Sequence, residues 1–134
     1  KATDKSFAAK LKAKYKKVTG KALTELAYGA ETYDAVILAA LAAQAAGTAT
    51  GAGIKSQITN ISLTAAGKTK VTDFASGLKA LKAGKKINYD GQSGPVEFDK
   101  NGDPSGAFIG IYRYGTAGTY AENLLKVVAG NTVK

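Results

Sequence analysis

Apolar residues at Phe7, Leu11, Tyr15 and Val18 recur at the spacing of one helical face, and lysines fill the positions between them. The pattern predicts an amphipathic helix over Asp4–Val18. Asp4 or Ser6 would cap its start, Lys14, Lys16 and Lys17 would sit at the negative end of its dipole, and Gly20 would stop it. From Lys21 to Tyr28 the periodicity is lost and only Leu23 and Leu26 read as buried, so this stretch is a connection. Thr32–Ala46 is apolar almost all round, with Val36, Ile37, Leu38 and Leu41 set among alanines, which predicts a buried helix. Its uninterrupted apolar run, Ala35–Ala43, is far short of the ~20 residues a membrane span requires.

Thr48–Gly53 is a small-residue stretch expected as a surface loop, after which Ile54, Ile58 and Ile61 mark a short helix. Ser62–Lys70 is polar and reads as a loop. Thr72-Asp73 can cap a further helix whose face is Phe74, Leu78 and Leu81, ending at Gly84. The stretch Asn88–Tyr114 then reads as a hairpin. Val96 and Phe98 alternate with Glu97 and Asp99, Asn101-Gly102 supplies a tight turn, and Ala107–Tyr114 is the return strand. Phe108 and Tyr112 would face one way and Ile109 and Ile111 the other, as in a strand covered on both sides. Pro95 and Pro104 fall at the ends of the pairing region, where a missing N–H costs least. Gly115–Gly118 turns the chain. Beyond it, Thr119 and Glu122 could open a helix, but Tyr120 and Val127-Val128 tip the tail toward a strand.

At 134 residues the chain has room for one core, a thin one, because so much of its apolar content is alanine. Cysteine and histidine are both absent. This removes disulfides, thiolate metal sites, the commonest zinc ligands and the usual nucleophile–base pairs, so no catalytic residue, metal site or cofactor is assigned and an enzyme is not expected. The formal net charge of +9 comes almost entirely from lysine, with Arg113 the single arginine. Lysine-rich surface is ordinary solvation, and nucleic-acid recognition favours arginine forks. The crowding of lysines before Lys21 leaves one other reading, a basic interaction domain that binds polyanions.

Three sharper motifs fail on their own chemistry. Asp99-x-Asn101-x-Asp103 opens like a calcium loop, but Pro104 stands where a glycine is needed and Gly110 where a bidentate glutamate is needed, so these residues are turn chemistry. The Thr48–Gly53 glycines lack the lysine and preceding strand of a phosphate cradle. Glu97 and Asp99 share one strand face, which is more simply solvated than acid–base.

The order Ser93-Gly-Pro-Val-Glu-Phe-Asp-x-Asn-Gly-Asp103, followed by Gly106-Ala-x-x-Gly-Ile-Tyr-x-Tyr114, resembles the C-terminal region of bacterial solute-binding proteins of the branched-chain-amino-acid type, the extracytoplasmic receptors of ABC importers. Tyr28-x-x-x-x-Tyr33-Asp34-Ala35-Val36 resembles the family's Y-D-A-V helix, and Phe74-x-x-x-Leu78-x-x-Leu81 the helix before its hairpin. The resemblance runs from about Phe7 to Tyr114. It implies an α/β chain, part of a two-lobed type I periplasmic-binding-protein fold, with four helices and a β-hairpin near the C-terminus. In that frame residues 1–20 belong to lobe 2, 21–32 cross the hinge, 33–114 lie mostly in lobe 1, and 115–134 form a tail.

The resemblance further implies a periplasmic or cell-surface location, a small-molecule solute such as an amino acid held between the lobes, an ABC permease as membrane partner, and a remaining receptor portion that supplies the other walls of the cleft. No signal peptide is visible, and the chain reads as the C-terminal part of a longer receptor. Self-association through the apolar helix is the alternative way to cover its faces. Tyr28 falls where the family sets an aromatic ring against the bound amino acid, and packing within the hinge is an equal reading of it. Tyr33 is the weaker ligand candidate; with Asp34 it would chiefly orient the helix.

Overall fold

The computed structural model describes residues 4–99, 101–112 and 124–131. Four helices, α1 (Phe7–Thr19), α2 (Gly29–Ala46), α3 (Gly51–Ser62) and α4 (Phe74–Lys82), accompany strands β1 (Thr69–Val71), β2 (Ile87–Gly91) and β3 (Gly94–Pro95), then β4 (Gly106–Tyr112) and β5 (Leu124–Asn131). The chain divides into two compact units, Lys1–Val96 and Glu97–Lys134. The fold is mixed α/β, as expected.

In the first unit β1, α4 and β2 make a β–α–β element with parallel strands, pairing Thr69 with Ile87 and Val71 with Tyr89. β3 adds antiparallel to β2 across the short Gln92-Ser93 connection. Alternation along β2 puts Ile87, Tyr89 and Gly91 on the covered face. The core is Leu38, Leu41 and Ala42 of α2, Ile61, Val71, Ala80, Ile87 and Tyr89. Burial of each large aliphatic side chain in it is worth about 1.5–3 kcal/mol.

α2 is rich in alanine, the best helix former, and buries one stripe: Ala30, Asp34, Leu38, Leu41 and Ala42. The expectation of an all-round buried helix is therefore corrected, since Val36 is 64% exposed. The reason is coverage, because among the described residues α2 packs mainly on α3, α4 and β2, and these reach only one side. α4 comes especially close. A Cβ at Gly77 would lie 2.7 Å from Leu41 Cδ1, so only glycine lets the two helices approach in this way.

Several boundaries differ from those read from the pattern. α2 starts at Gly29 rather than Thr32. α3 starts inside the expected loop, because the Thr50 hydroxyl accepts from the Gly53 N–H at 3.2 Å and caps it. β1 occupies the end of the stretch expected as loop, made stable by its pairing with β2 rather than by its own sequence. Asp73 caps α4 as expected, accepting from Ser76 N–H at 2.8 Å, and Gly20 ends α1 with φ 72°.

The hairpin is paired differently from the prediction. In the second unit, Phe98 and Pro104 form an isolated bridge, and the turn between them is tied by the Asp99 side chain, which accepts from Asn101 N–H at 2.8 Å and Asp103 N–H at 2.9 Å. That is the turn chemistry expected of these residues. The return strand β4 pairs with β5 instead, from Gly106 opposite Asn131 to Tyr112 opposite Leu124. Val96–Asp99 is tied briefly across the turn, through Asp99 N–H to Asp103 C=O at 2.8 Å and Ser105 N–H to Glu97 C=O at 2.7 Å, while the tail, a strand as the residues favoured, offers β4 a longer ladder. Ile111 is 45% exposed, so cover on both faces of β4 does not hold there. The turn at Gly115–Gly118, the pair Thr119 and Glu122, Arg113, and the side chains of Phe108, Ile109 and Tyr112 lie outside the described residues.

Candidate functional site

Parallel β1 and β2 both end at the same edge of the first unit. Thr72 and Asp73 directly follow β1, and Gln92 directly follows β2. In α/β sheets ligands collect outside the carboxyl ends of such strands. Here those three residues form one wall of a cleft of about 560 Å³, and Asp4, Phe7, Lys10, Leu11 and Lys14 from α1 and its approach form the other, with Tyr33 at the base.

Specific contacts join the two sides of the cleft. Gln92 Oε1 accepts from Asp4 N–H at 3.1 Å, and Phe7 meets Tyr33 edge to face with ring centroids 5.4 Å apart and an interplanar angle of 70°. A Cβ at Gly29 would stand 3.0 Å from Leu11 Cδ2, so the Leu11 side chain reaches the start of α2. Asp4 is pulled down to about 2, first by the Ser6 hydroxyl and N–H and then by Lys10, whose ammonium lies 3.0 Å away. It stays a carboxylate throughout the neutral range.

Beneath the cleft Asp34 is 2% exposed and fully engaged. Oδ1 accepts from the Tyr89 hydroxyl at 2.7 Å and Gln92 N–H at 2.9 Å. Oδ2 accepts from Ser93 N–H at 2.7 Å and from the Ser93 hydroxyl. One carboxylate thus fixes the β2–β3 turn, and with it Gln92 at the cleft edge, to the first turns of α2. Gly91 is required for this, because a Cβ there would fall 2.4 Å from the Asp34 carboxyl atoms. Burial, followed by its hydrogen bond to Asp34, pushes the Tyr89 hydroxyl well above the usual phenol range.

The two tyrosines singled out from sequence are placed apart. Tyr33 lines the cleft. Tyr28 sits at the N-terminus of α2 with φ 59° and is the one described non-glycine residue with positive φ; its side chain is 78% exposed. The left-handed backbone costs roughly 1–2 kcal/mol. It persists because Glu25 Oε1 takes the Leu26 and Ala27 N–H groups at 2.7 and 2.8 Å and Tyr28 C=O takes Thr32 N–H at 2.8 Å. The result is an aromatic ring aimed outward from the end of a fixed connection, a kind of outlier that concentrates at ligand clamps.

Pattern reading missed Thr72, Asp73 and Gln92 as cleft residues, because nothing local marks a strand end until β1 is known to pair with β2. It assigned Asp34 to the helix dipole. The signal for more was present: a carboxylate inside an otherwise apolar stripe must find partners.

The first unit thus carries a cleft at its strand ends with an aromatic, mixed-charge lining. Residues 3–111 match the family described as receptor family ligand binding region, and the chain belongs to that family. It is a type I periplasmic-binding-like ligand-binding region, and the mixed α/β architecture is consistent with part of that fold. No curated protein and no solved structure matches the chain significantly.

Proposed function

We propose that this chain is the C-terminal part of an extracytoplasmic solute receptor of an ABC importer, binding a branched-chain or similar amino acid between two lobes and delivering it to a membrane permease. The observation that carries the reading is membership of the ligand-binding receptor family together with Tyr28, held in a left-handed conformation with its ring exposed. In this reading residues 1–20 belong to lobe 2, 21–32 form a hinge crossing and 33–114 lie mostly in lobe 1. Tyr28 would close over the apolar side chain of the solute, since an aromatic ring gives much contact area for little lost rotamer freedom. Tyr33 would line the adjoining wall. Closure about the hinge would couple capture to delivery.

The polyanion reading rests on the lysines of α1, and the amphipathic pattern of that helix already accounts for them as a solvent face.

Isothermal titration of the receptor carrying this chain with leucine, isoleucine and valine tests the proposal. Tyr28→Asn is the informative variant, because asparagine tolerates the left-handed region and the fold is retained. Binding should fall at least tenfold in Tyr28→Asn with the thermal midpoint unchanged. Undiminished affinity would remove Tyr28 from the site.

A further inference from the structure

Asn101 and Gly102 stand exposed in the turn between Phe98 and Pro104 of the second unit. We propose that this pair is a site of spontaneous deamidation, with water the only co-reactant, and that Asp99 governs its rate.

The reaction needs a main-chain nitrogen that can reach the asparagine side chain. Gly102 N attacks Asn101 Cγ, the new C–N bond closes a five-membered succinimide, and the carboxamide nitrogen leaves as ammonia. Water then opens the ring at either carbonyl, giving aspartate, or isoaspartate with the main chain carried through the side chain. Glycine obstructs the first step least, because no side chain stands beside the attacking nitrogen. Gly102 also lies in open space: its φ is 90° and a Cβ built there would meet no atom within 4 Å. The Asn101 carboxamide makes no hydrogen bond with another described residue. By contrast Asn60 and Asn88 are followed by Ile61 and Tyr89, both buried, and their carboxamides donate to Ser56 C=O at 3.5 Å and to Thr64 Oγ1 at 2.9 Å.

Asp99 opposes the reaction. Its C=O accepts from Gly102 N–H at 3.1 Å, and its Oδ1 accepts from Asn101 N–H at 2.8 Å and Asp103 N–H at 2.9 Å. These bonds resist the rotation about the Asn101 Cα–C bond that attack requires, so ring closure waits on opening of the turn. An exposed turn held through one residue opens at little cost. Isoaspartate lengthens the main chain by one carbon, and aspartate sets a new negative charge beside Asp99 and Asp103, so either product alters the turn.

The test is incubation of the full chain at physiological temperature and neutral to mildly alkaline pH, followed by peptide mapping with mass detection. The Asn101 peptide should gain a single dalton and split into aspartate and isoaspartate forms, sooner than the Asn60 and Asn88 peptides. Its rate should rise with pH, because hydroxide removes the Gly102 amide proton. Asp99→Ala should speed the change severalfold, whereas Asn101→Gln, which would have to close a six-membered ring, should leave the peptide unmodified. Loss at Asn101 no faster than at Asn60 or Asn88 in the unaltered chain, or an unchanged rate in Asp99→Ala, would overturn the proposal.

Discussion

Asp34 holds the β2–β3 turn and Tyr89 to the start of α2. It takes four hydrogen bonds from one turn and one strand, in a position with almost no solvent. Asp34→Ala would strand the Tyr89 hydroxyl, the Ser93 hydroxyl and two N–H groups, and unsatisfied buried donors cost about 1–3 kcal/mol each before relaxation. The expected loss is at least about 3 kcal/mol in urea unfolding. A loss under about 1 kcal/mol would mean that water replaces the carboxylate. Tyr89 adds a pH signature. Its folded pKa is raised, so its contribution is complete below the ordinary tyrosine value and is lost as pH rises past about 10, where the unfolded chain releases a proton that the folded chain keeps. Stability should therefore decline above pH 10, and Tyr89→Phe should flatten that decline. An equally steep decline in the variant would assign it to other groups.

Helices were the legible elements. Each of α1, α3 and α4 announced itself by apolar spacing, and Asp73 and Gly20 marked ends correctly because caps are local chemistry. Strands were less so. β1 is three residues long and owes its existence to β2, and β4 chose β5 over the nearer Val96–Asp99, a competition that no local pattern decides. The cleft shares this limit, since it is made of strand ends. α2 shows a different one: its composition announced burial all round, but burial depends on what is there to cover it. The contact of α2 with α4 gives a direct check. Gly77→Ala would press a methyl group against Leu41, and overpacking of this kind costs about 1–3 kcal/mol. Leu41→Ala should relieve part of that cost in the double variant, leaving the pair less destabilised than the sum of the two changes. Strict additivity would show that the helices do not meet there.

At the scale of the whole molecule, the first unit lines its cleft at the strand ends with both signs of charge, Asp4 and Asp73 beside Lys10 and Lys14, and a second cavity at the strand starts with Lys68, Lys85 and Lys86. Val36, Val18 and Tyr28 are large apolar or aromatic side chains left open to solvent. In the two-lobed receptor proposed above, such an open face would meet the solute, with Tyr28 at the crossing. The measurement that bears most directly on this account is a thermal-shift panel of amino acids and related small acids on the receptor carrying this chain, with Tyr28→Asn alongside. At a hundredfold excess over Kd a true ligand stabilises the folded state by about 2.7 kcal/mol. The account predicts that branched-chain amino acids raise the melting temperature of the receptor and that Tyr28→Asn abolishes the rise. A receptor that responds to none of the panel would contradict it.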